Sequence, residues 1–68
     1  MLSILCILLY LTLIFSPGTY TTTQIHTIEQ QNHTQVQAVQ QNPTLMQQVQ
    51  ADYIEDAQRI KVAEDIGH

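Results

Sequence analysis

The chain changes character once, and sharply. Positions 2 to 15 read LSILCILLYLTLIF, with Ser3 and Thr12 as the only polar residues. Ser16-Pro17-Gly18 follows, and beyond it lie all eight charged side chains and all eleven glutamines. A run that is apolar on every side, with no polar stripe, predicts a helix needing cover on its whole circumference. About fourteen residues at 1.5 Å rise give about 21 Å of helix. A bilayer core of about 30 Å asks for about twenty. The length suits the hydrophobic region of a secretory signal, about 7 to 15 residues. Pro17 and Gly18 break the helix there, and Ser16 and Gly18 place small residues at −3 and −1 of a cut before Thr19. The first residues lack the usual Lys or Arg. Cleavage after Gly18 is the leading expectation. A single-pass membrane anchor is the second. A buried helix of a soluble domain ranks last, because the remaining residues offer little apolar surface to surround it.

The second half carries two patterns. Residues 19–27, TYTTTQIHT, are β-branched and polar, which favours extended backbone. From 24 to 50 there are ten Gln and two Asn, a low-complexity polar stretch. Within it, Ile25, Ile28, Val39, Met46, Val49, Tyr53, Ile60 and Ala63 share the a and d positions of one heptad phase, broken by Asn32, Gln35, Asn42 and Asp56. Pro43 interrupts the seam but suits the first turn of a new helix, with Asn42 as its N-cap. No Gly or Pro occurs from Thr44 to Ile66, and Gly67 is placed to end the helix. Leu45, Met46, Val49, Tyr53, Ala57 and Ile60 fall on one arc, while Ile54, Val62 and Ile66 fall off it. Glu55 and Arg59 are placed as an i, i+4 pair, and Lys61 is placed to reach Glu64 or Asp65.

These patterns predict a chain that is mostly α where ordered. It has an N-terminal hydrophobic helix (1–18, signal peptide or anchor), a flexible Thr/Gln-rich segment (19–42) and a C-terminal amphipathic helix (43–67). No compact globular core is expected. Leu, Ile, Val and Phe make up about a fifth of the chain after residue 18, near the edge of disorder. Cys6 cannot form an internal disulfide, so no covalent staple offsets a thin core.

Composition narrows the chemistry. Two Lys+Arg against six Asp+Glu give a net charge of −4, which argues against nucleic acid and anionic headgroups. His26 and His33 are seven apart, the wrong spacing to clamp one ion, and His68 stands alone. Asp52, Glu55 and Asp56 cluster on a helix, but acid–base catalysis needs a cleft that shifts their pKa values. No Gly-rich phosphate loop exists. No enzyme activity, cofactor or metal is therefore expected. Asn32-His33-Thr34 is an N-glycosylation sequon, whereas Asn42-Pro43-Thr44 is blocked by proline. The expected function is that of a short secreted protein that binds a partner or itself through the C-terminal helix, with Met46, Val49, Tyr53 and Ile60 at the contact. The alternative is a small membrane accessory protein held by residues 1 to about 20.

Overall fold

The apolar run forms helix α1, Leu2–Tyr10. Five consecutive residues, Leu5 to Leu9, are buried in it, so the helix is covered on all sides rather than on one stripe. The helix closes with the two backbone bonds of a Schellman motif. Thr12 N–H donates to Leu9 C=O at 3.0 Å and Leu13 N–H to Leu8 C=O at 2.9 Å. Thr12 takes the left-handed position there, with φ 61°, which a β-branched residue seldom adopts. The turn returns the chain through Ile14, which is buried, and a cis Ser16–Pro17 bond into strand β1, Gly18–Thr21.

The computed structural model describes residues 1 to 64. Three helices follow β1: α2 (Thr22–Gln31), α3 (His33–Gln40) and α4 (Pro43–Gln58). Strand β2, Ile60–Ala63, then runs parallel to β1, with Gly18 opposite Ile60 and Thr21 opposite Ala63. A parallel pair needs a long crossover, and the three helices supply it. Gly18 has a steric reason to lack a side chain. A Cβ there would lie 2.8 Å from the Phe15 carbonyl oxygen and 3.2 Å from the Tyr20 ring.

The starts of α2 and α4 each have a local cause. Thr21 and Gln24 form a capping box on α2: Gln24 N–H donates to Thr21 Oγ1 at 3.1 Å, and Thr21 N–H to Gln24 Oε1 at 2.8 Å. Asn42 Oδ1 accepts from Leu45 N–H at 3.1 Å, with Pro43 in the first turn of α4. The far end of α4 is tied by Ser16, whose hydroxyl donates to the Asp56 carbonyl at 2.7 Å.

The core lies where α1 packs on α4, with α3 alongside. Its buried side chains are Leu5, Cys6, Ile7, Leu8, Leu9 and Ile14 from the N-terminal part, and Ile25, Val36, Val39, Val49, Ala57 and Ile60 from the rest. Contacts advance in the same direction along both helices. Ser3 accepts a 2.8 Å bond from Gln50 Nε2, and the Tyr10 and Tyr53 rings meet edge-on at 6.2 Å. The radius of gyration is 11.7 Å, close to the roughly 11 Å of a compact chain of this length and far from the roughly 25 Å of an unfolded one.

The structure thus corrects the expected architecture. There is a compact core, and residues 19–42 are not a flexible segment but a strand and two helices. The apolar run is the centre of that core. Its cover comes from α4 and α3, which pack on α1, while Ile25 of α2 and Ile60 of β2 join the same buried cluster. The amphipathic helix stops at Gln58, and the expected continuation through Ile60 to Ala63 is strand. Gly67, the expected helix end, Ile66 and the Asp65 partner of Lys61 lie outside the described residues. Among the described residues the one ion pair is Arg59 with Asp56 at 3.8 Å, spaced i, i+3, and not the expected Glu55–Arg59 pair.

Total stability for a domain of this size is about 3 to 10 kcal/mol, and emptying a fully buried site removes about 2 to 5 of it. Ile7→Ala in the intact chain is expected to unfold a large share of the population without denaturant, read by far-UV circular dichroism in urea. Thr12→Gly removes the left-handed strain and is expected to raise stability by about 1 kcal/mol. An unchanged or lower urea midpoint for Thr12→Gly contradicts the assignment of that turn.

Candidate functional site

The four residues proposed for partner contact sit along α4 and at the start of β2, and they differ in access. Val49 is fully buried and Ile60 nearly so, at 1% and 8% exposure. Met46 and Tyr53 are half-buried at the margin of the same cluster. The stripe that amphipathicity singles out is therefore brought together by the fold, and α1 of the same chain lies on α4. Ile60 reaches the cluster from the strand rather than the helix, because Arg59 closes α4.

The outer apolar surface is elsewhere. Phe15 is 69% exposed, and Met1, Leu2 and Tyr10 also reach solvent. Phe15 follows the Schellman turn, and its backbone N–H donates to the Tyr20 hydroxyl at 3.0 Å.

Two processing positions have defined surroundings. The Gly18–Thr19 bond, the expected cut, lies inside β1 and is paired with Ile60 and Lys61. Asn32 forms the junction of α2 and α3. Its side-chain nitrogen, the atom a sugar would take, donates to Ile28 C=O at 2.9 Å. Val36 N–H in turn donates to the Asn32 carbonyl at 3.0 Å. The sequon is folded into a helix junction, half-buried at its asparagine.

The remaining polar candidates do not converge. His26 and His33 are exposed on different helices, and His68 lies outside the described residues. Asp52 and Glu55 are exposed and Asp56 half-buried along α4, with Asp56 turned to Arg59. Among the described residues no group of His, Cys, Asp and Glu has metal-binding geometry, and no pocket is found. No helix among them is long and apolar enough to cross a membrane. Comparison with protein-family models, with characterised proteins and with solved structures finds no match.

Cys6, in the middle of α1, has a thiol cut off from water. It is completely buried, and loss of water raises its thiol pKa above the ordinary 9.0. The folded state therefore keeps the proton longer than the unfolded one. Below the ordinary value both states are protonated and this site adds no pH dependence. As pH rises past 9.0 the unfolded thiol ionises first, and stability falls. Urea midpoints are expected to fall more steeply above that pH in the native chain than in Cys6→Ala. Parallel curves contradict burial of the thiol.

Proposed function

We propose that this chain is a short secreted, non-enzymatic binding protein, and that its binding element is the α4 stripe of Met46, Val49 and Tyr53 together with Ile60. In the intact chain α1 occupies that stripe. In a product beginning at Thr19 the stripe is vacated, and a second copy or a partner protein presenting a comparable apolar face takes the place of α1, in the helix-in-groove manner. The observation that carries this reading is the seating of α1 on α4: the stripe already accepts an apolar helix, joined by the Tyr10–Tyr53 ring contact and the Gln50–Ser3 bond. The secretory part rests on the oily leader and the small residues at Ser16 and Gly18.

Expression in a secreting eukaryotic cell tests both parts. The mass of the product in the medium is expected to correspond to residues 19–68, with any sugar at Asn32 adding to it. That product is expected to sediment as an associated species, by itself or with a co-purifying partner. Tyr53→Asp and Ile60→Asp are each expected to abolish the association. An intact chain starting at Met1, found as a cytosolic monomer, overturns the reading. So does a secreted product whose sedimentation the two substitutions leave unchanged.

A further inference from the structure

Resting on the secretory reading, we infer that cleavage after Gly18 and the compact fold are mutually exclusive fates of this chain, decided by which happens first. Two independent observations meet here. The scissile bond is held in the β1–β2 ladder, with Gly18 opposite Ile60 and Thr19 opposite Lys61. A peptidase that closes its cleft around an extended substrate has to lift this segment away from β2. Secondly, of the twelve apolar side chains buried among the described residues, six belong to residues 1–18. Removing them takes away the helix that packs on α4 and α3. Folding first therefore protects the bond, and cutting first removes half the core.

The cut itself is ordinary hydrolysis by a signal peptidase. The Gly18–Thr19 amide bond breaks, water supplies hydroxyl to the Gly18 carbonyl carbon, and its proton completes the Thr19 amine. Gly18 serves both fates for different reasons. The peptidase needs a small residue there, and the fold needs none, since a Cβ meets the Phe15 carbonyl oxygen at 2.8 Å. Alanine satisfies the first demand and violates the second. Gly18→Ala thus separates the two fates by one methyl group.

The test uses full-length chains and purified signal peptidase, in a detergent that leaves the circular dichroism of the native chain unchanged. Three chains are compared: native, Gly18→Ala, and Ala57→Asp, which buries an unpaired charge without altering residues 1–20. The native chain is expected to be cut at least about tenfold more slowly than either variant, because cleavage draws on the transiently opened population. Its cut product is expected to lose the cooperative unfolding transition of the intact chain. Equal rates for all three chains overturn the exclusion while leaving the secretory reading standing, as does a cut product that keeps the transition. Failure to cut any chain, the opened Ala57→Asp included, overturns the secretory reading and the exclusion together.

Discussion

A helix without a polar side has to be surrounded, and that demand organises this small protein. Leu5 to Leu9 are buried in succession, which no single partner helix achieves. The chain meets the demand with α4 and α3 packed on α1, and the buried cluster continues beyond them. Val49 and Ala57 come from α4, Val36 and Val39 from α3, Ile25 from α2, and Ile60 from the strand beside β1. Each of these elements is weakly apolar by itself. Sixteen residues of α4 bury only two side chains completely enough to count as core. Marginal helices of this kind gain most of their stability from tertiary packing, so α1 and its surroundings are mutually dependent.

The same dependence links the fold to the proposed processing. A leader is normally separable from the domain it delivers, whereas here the oily segment is the centre of the interior. The turn after it, the strand carrying Gly18 and the cap from Ser16 to the Asp56 carbonyl fasten it to the end of α4. The binding proposed for the α4 stripe, the proposed cleavage and compact folding all draw on the same few apolar side chains.

Part of this was legible in the residues. Asn42-Pro43 marks the start of α4 by a local cap, and the shared heptad phase marks Ile25, Val39, Val49 and Ile60, all of which are buried. The seam, already interrupted at Pro43, is divided further at Asn32, and its buried side chains converge within one chain from three helices and a strand. The capping box was also present as Thr21-Thr22-Thr23-Gln24, and it announces α2 inside a stretch whose β-branched composition suggests extended backbone. The parallel pairing was not legible. Gly18–Thr21 and Ile60–Ala63 are separated by three helices, and a contact at that separation leaves no local periodicity to read. Among the candidate contact residues, Met46, Val49 and Tyr53 were visible from helical spacing. Their occupation by α1 was not, because spacing on one helix says nothing of what lies on it.

Native-state hydrogen exchange on the intact chain tests the central claim most directly. If α1 is the centre of the core, the amides of Leu8 and Leu9 exchange only through the same global opening that exposes the amides of Val49 and Tyr53. All four then share one free energy and one dependence on denaturant. If the α1 amides exchange freely while those of α4 stay protected, the oily helix is an appendage and this account of the molecule is wrong.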